Sequence, residues 1–152
     1  MNYDNKSIIV SNILNKAAVK CFVSSETDII KILDDAKKEC KQRINDEKYQ
    51  IEIDRRVAEW KLRLFCDKNL SIDKVNKLFD GCLKLGFSNK NIKIDTYLYF
   101  TLYCVNNNYY DIAIVNINKI KSYLPWKSKH EIEYSKSKME TINRLMLSME
   151  VK

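Results

Sequence analysis

The chain has 152 residues, with 27 Lys and Arg against 20 Asp and Glu, a formal net charge of +7 at pH 7, and 45% hydrophobic residues. That is the size of one domain, and at this length about 68–70% of the unfolded chain's surface can be buried. No apolar run approaches the ~20 residues of a membrane-spanning helix, and 2 glycines and 1 proline are too few for the tight turns of an all-β fold.

The expectation is therefore a single soluble all-α domain over residues 1–152. At the N-terminus, Asp4 falls in the would-be basic region and Ser11, Asn12, Asn15 and Lys16 interrupt the apolar stretch, which makes a poor secretory signal. Five cysteines, Cys21, Cys40, Cys66, Cys82 and Cys104, lie 16 to 26 residues apart without a C-x-x-C pair. Such a set reads as reduced, mostly buried thiols of a cytoplasmic protein.

In residues 7–23 the spacing of Ile9, Ile13, Leu14, Ala17, Ala18 and Phe22 predicts a first amphipathic helix. Ser25 then reads as an N-cap, with Glu26 and Asp28 in the first turn and Ile29, Leu33, Ala36, Cys40 and Ile44 on one stripe. Whether residues 26–67 form one long helix or break near "NDEKYQIEID" is open at this stage; Ile53, Val57, Trp60 and Leu64 make a helical stripe either way. Charges of both signs alternate over residues 34–67, as on a solvated helix face. Ser71 opens the next helix, with Ile72, Val75, Leu78, Phe79, Cys82 and Leu85 on its face and Gly86 as its terminator. "FSNKNIKID" reads as a polar loop.

The stretch "LYCVNNNYYDIAIVNINKIKSYLPW" admits two readings. Its aromatic and β-branched start favours a β-hairpin over residues 96–115, giving an α+β fold as the alternative. Read as helices, Ala113, Ile117, Ile120 and Leu124 line one face, Asn116, Asn118, Lys119 and Ser122 take others, and Pro125 ends the element. A lone hairpin is marginally stable, so the helical hairpin is preferred. At the end of the chain, Ser128 and Glu131 form a capping box ahead of a stripe of Ile132, Ser135, Met139, Ile142, Met146 and Met149, a last helix of about five to six turns. The whole reads as about six helices in stacked antiparallel hairpins, with a long C-terminal helix packed across them.

Tyr97, Phe100, Cys104, Asn108, Tyr110, Ala113, Ile117, Ile120 and Pro125 resemble one degenerate tetratricopeptide repeat, with a bulky residue opening the first helix and a small one in the second. Thr101 stands where the family usually has glycine, and Ile120 where it prefers alanine. A preceding unit from about Trp60 to Phe87 lies 38 residues upstream rather than the family's 34. The resemblance implies a scaffold for recognising peptides or domains. "KLFDGCLKLGF" is also faintly similar to pentatricopeptide repeats, which bind RNA.

No catalytic or metal signature stands out, and no cofactor is expected. The single histidine, His130, has no His or Cys companion at metal-ligand spacing, the two glycines cannot build a phosphate-cradling loop, and Asp34 and Asp35 are adjacent on a helix and point apart. The expected function is instead binding of another protein, with no enzymatic activity. Candidate contact residues are Tyr97, Tyr109, Tyr110, Tyr123, Trp126, Lys127, Lys129, His130 and Tyr134, because aromatics dominate interface hot spots and the lysines suit an acidic partner. A small helical protein of this kind also looks like the immunity partner of a bacterial toxin. The competing class is RNA binding through Lys84, Lys90, Lys93, Lys119, Lys121, Lys127 and Lys129, against which stands the lack of arginine in the basic segments 68–93 and 119–138.

Overall fold

The computed structural model describes residues 3–151, which among themselves form seven helices and no strand. The chain is all-α, and the β-hairpin alternative over residues 96–115 is overturned. The chain divides into two compact units, Met1–Ser88 and Asn89–Lys152.

The first unit holds α1 (Tyr3–Cys21), α2 (Glu26–Arg43), α3 (Glu47–Asp67) and α4 (Ile72–Leu85). α3 packs against all three of the others, and accordingly buries residues on more than one side: Tyr49, Ile53, Val57, Leu62, Leu64 and Phe65. Residues 26–67 are two helices. Asp46 takes an extended conformation and accepts the Lys48 N–H at 3.0 Å, while Ile44 is extended and buried in the break. Lys6 of α1 pairs with the same Asp46. Ser25 caps α2 as expected, accepting the Asp28 N–H at 3.3 Å. Phe22, placed on the core stripe of α1 by its spacing, is 63% exposed instead, because α1 ends at Cys21 and the chain turns before the stripe is complete.

Helix direction follows from the cross-helix pairs. Lys41 near the end of α2 bonds Asp54 near the start of α3 at 2.8 Å, and Lys61 in the later part of α3 bonds Asp34 in the middle of α2 at 2.7 Å. Arg55 near the start of α3 donates through Nε to the Leu85 carbonyl at the end of α4, 3.0 Å away. α2 and α4 therefore both run antiparallel to α3.

α4 stops at Gly86, whose φ of 78° and ψ of −173° lie in a region that essentially only glycine occupies. Two other helices end in the left-handed conformation without glycine. Asn69 (φ 56°) and Asn108 (φ 64°) occupy that position after α3 and α5, and each helix closes with the paired bonds of a Schellman motif: Leu70 N–H to Phe65 O and Asn69 N–H to Cys66 O in the first, Tyr109 N–H to Cys104 O and Asn108 N–H to Val105 O in the second. Asparagine tolerates this conformation better than other side chains do.

The second unit holds α5 (Lys90–Asn106), α6 (Tyr110–Tyr123) and α7 (Lys129–Val151), with α7 packed on both of the others. "FSNKNIKID" is a loop only in its first part: Asn89 accepts the Ile92 N–H at 2.9 Å and starts α5 at Lys90. α6 buries Ala113, Ile117 and Ile120 as its spacing predicts, and Asn116 with them. In α7, Ser135 and Ile142 are fully buried, but Leu145 is buried where Met146 was expected and Met146 is exposed. Leu145 and Met146 flank Ile142 on opposite sides of the helix, and the covered face lies on the Leu145 side.

Candidate functional site

In the second unit, Tyr123, Trp126, Lys127, Lys129, His130 and Tyr134 of the sequence-predicted contact residues fall at or near the turn between α6 and α7. α6 ends at Tyr123; Leu124 is extended and buried, and Pro125 prevents continuation. The turn is pinned on its other side by the capping box, in which Ser128 N–H donates to Glu131 Oε1 and Glu131 N–H to Ser128 Oγ, both at 3.2 Å. The buried Ser135 hydroxyl donates to the Pro125 carbonyl. Between these anchors Trp126 stands 47% exposed, with Lys127, Lys129 and His130 exposed beside it.

Tyr134 is half-buried, with its hydroxyl 3.4 Å from both the Asn91 carbonyl and Asp95 Oδ1. Burial first, and then the Asp95 carboxylate, push the phenol up to about 12. Lys138 bonds Asp95 at 2.8 Å and lies over the Tyr134 ring, 5.2 Å from its centroid. Lys93 sits 3.8 Å from the centroid of Tyr123, a cation–π contact that holds this lysine against the protein. A cavity of about 420 Å³ opens here between Lys90, Asn91, Pro125, His130 and Tyr134.

The other expected contact residues are elsewhere. Tyr97 is only 4% exposed and meets Tyr123 edge-on at 5.4 Å, so it packs the core rather than presenting a contact. Tyr109 and Tyr110 lie at the opposite end of α6, about 20 Å along the axis from Tyr123 at 1.5 Å per residue; Tyr109 stacks on Tyr103 at 6.5 Å and the Tyr110 hydroxyl donates to Asn108 Oδ1 at 2.9 Å. Of the lysines read as an RNA surface, Lys84 belongs to the first unit and the rest to the second.

The first unit carries a groove that spacing alone did not reveal. Its base is α3 and its walls are α2 and α4, enclosing about 780 Å³. The apolar lining includes Ile30, Ala58, Leu78, Gly81 and Leu85, and the rim carries Lys37, Lys41, Lys61, Lys74 and Lys77 against Glu26 and Asp54. Lys74 bonds Glu26 at 2.7 Å, Lys41 bonds Asp54 at 2.8 Å, and Lys37 reaches the same Asp54 oxygen at 3.7 Å. The alternating charges of residues 34–67 thus serve cross-helix pairs around a concave surface. The missed signal lay in Lys37 with Lys41 and Lys74 with Leu78, four residues apart on facing helices.

Chemistry elsewhere is sparse. Cys21, Cys40, Cys82 and Cys104 are buried free thiols, and burial pushes Cys40 up to about 11 and both Cys82 and Cys104 up to about 12; such thiols carry little nucleophilic thiolate near neutrality. Glu59 of α3 has a buried Oε1 without a hydrogen-bond partner, and burial raises its carboxyl to about 7. No group of three or more His, Cys, Asp or Glu among the described residues is placed to hold a metal ion, and no helix among them is long and apolar enough to cross a membrane. Comparison of the chain with protein-family models, with curated proteins and with solved structures finds no match.

Proposed function

We propose that the protein is a non-enzymatic binding module that docks another protein through the α6–α7 turn, with Trp126 as its anchor. The observation that carries this reading is a half-exposed tryptophan on a turn fixed at both ends, by the Ser135–Pro125 bond and by the Ser128–Glu131 box. A fixed loop loses little entropy on binding, and tryptophan is among the residues most enriched at hot spots. Lys127 and Lys129 beside it suit a partner with an acidic surface. The resemblance of residues 97–125, which span α5 and α6, to a tetratricopeptide unit supports the same class of activity. Neutralisation of a toxin by covering its acidic active-site rim is the specific form we propose for it.

Retention of proteins from a native lysate by the tagged chain and by Trp126→Ala, read by mass spectrometry, tests the proposal. A protein with an acidic surface is expected on the wild type and to be depleted about tenfold or more on the variant, since hot-spot truncation costs about 2 kcal/mol or more. Equal retention by both chains, with unchanged circular dichroism, rejects the Trp126 anchor.

A further inference from the structure

The groove of the first unit is formed by α2, α3 and α4, and we infer that it receives an acidic amphipathic helix of a partner protein. Two independent features point to that occupant. The first is charge: the rim lysines outnumber the rim carboxylates five to two, and although Lys61 is bonded to Asp34 outside the rim, Lys77 has no ion pair among the described residues and Lys37 has only the long contact at 3.7 Å to an Asp54 already bonded by Lys41. An incoming carboxylate finds unspent cations on both walls. The apolar lining between them distinguishes the groove from a surface for phosphates alone, which needs cations but no apolar floor.

The second feature is Gly81. It lies inside α4, where glycine disfavours the helix relative to alanine. Its φ is not in the left-handed region, and a methyl group built on it would meet no atom within 4 Å. Nothing in the described fold requires a glycine there. Lining the groove together with Ala58 of α3, it leaves a strip of low side-chain bulk along which a second helix backbone can approach. The wall from Glu26 to Lys41 is about 22 Å long at 1.5 Å per residue, the length of about four helical turns. Ile30 at 39% exposure, together with Leu78 and Leu85, offers the apolar contacts for a stripe at i, i+3, i+4 and i+7.

The test uses the full chain and a fluorescein-labelled peptide of about 18 residues, with Leu on one helical face and Glu on its flanks. Its comparison is a peptide of the same composition in permuted order. Anisotropy should show saturable binding of the first, at least about tenfold weaker binding of the second, and loss of affinity as salt rises from about 50 to about 200 mM. Gly81→Leu, which fills the strip with a good helix former, and Lys77→Glu should each weaken binding about tenfold while melting temperature holds or rises; Trp126→Ala should leave it unchanged. Equal binding of the permuted peptide, wild-type affinity in both groove variants, or no saturable binding up to about 1 mM overturns the inference. So does a dimer in sedimentation that Gly81→Leu abolishes, which would assign the groove to a second copy, or a labelled single-stranded RNA that binds through Lys77 while the peptide does not.

Discussion

Glu59 is a carboxylate whose environment opposes its charge. Burial dominates, the guanidiniums of Arg63, Arg56 and Arg55 pull the other way, and Glu52 adds a like charge; together they lift its carboxyl from 4.5 to about 7. Between these values the folded protein holds a proton that the unfolded chain has released. Stability therefore declines as pH rises across that window and is flat above it. At 1.36 kcal/mol per pKa unit, and discounted for the side chain's remaining exposure to water, the decline is about 2 kcal/mol. Urea unfolding between about pH 5 and pH 8 should show it, and Glu59→Gln should flatten the profile. Asp46 acts in the opposite sense at acid pH, since its bond to Lys6 lowers its carboxyl and is lost when that group protonates. Gly86 makes a second residue-scale prediction. A Cβ there would be strained by the positive φ and would come within 3.4 Å of the Arg55 guanidinium, so Gly86→Ala should cost about 1–3 kcal/mol, read from the denaturation midpoint. Gly86 was legible as a terminator because it follows an apolar stripe. Glu59 was not, since its burial depends on helices far away in the chain.

At the scale of elements, sequence pattern located caps better than it located faces. Ser25, Gly86 and the Ser128–Glu131 box were readable because capping is decided within a few residues. Asn89 and Asn69 were missed as helix boundaries in a chain with many asparagines, where each looked like one more polar loop residue, whereas Asn108 falls in the bend expected between the two helices of the hairpin. The aromatic run 97–103 shows the opposite failure of local propensity. Its β-favouring side chains enter α5 because Tyr97, Phe100 and Tyr103 are all buried there, and burial of such side chains outweighs a propensity scale spanning about 1 kcal/mol. Asn108 supplies the direct test. Asn108→Gly should be neutral or slightly stabilising, while Asn108→Val, a β-branched residue forced to φ 64°, should lower stability by about 1–2 kcal/mol. Thermal melting of the two variants side by side checks it; equal melting temperatures would show that the left-handed turn does not constrain α5 and α6.

For the whole molecule, helix number and class were legible, whereas the groove was not, because a concave surface arises from which helices become neighbours. The lysines that looked like solvated charge are organised by pairing across α2, α3 and α4. The chain forms two compact units, each with buried apolar residues. In the first, α3 is surrounded by three partners, and Leu14, Ile29, Leu33, Ile53 and Leu62 are fully buried. In the second, three helices bury Ile94, Ile120 and Ile142, and a domain of about 60 residues buries only about 60% of its unfolded surface. The two should therefore differ in autonomy. Residues 1–88 expressed alone should be helical and melt cooperatively, because their central helix α3 packs on α1, α2 and α4 within the unit. Residues 89–152 alone should be helical but melt at lower temperature and with a shallower transition, since stability scales with apolar area removed from water. Circular dichroism melting of both fragments beside the full chain decides the matter. A non-cooperative melt of residues 1–88 would mean that this unit needs the rest of the chain to fold, and would remove the physical basis for treating its groove as a self-contained surface.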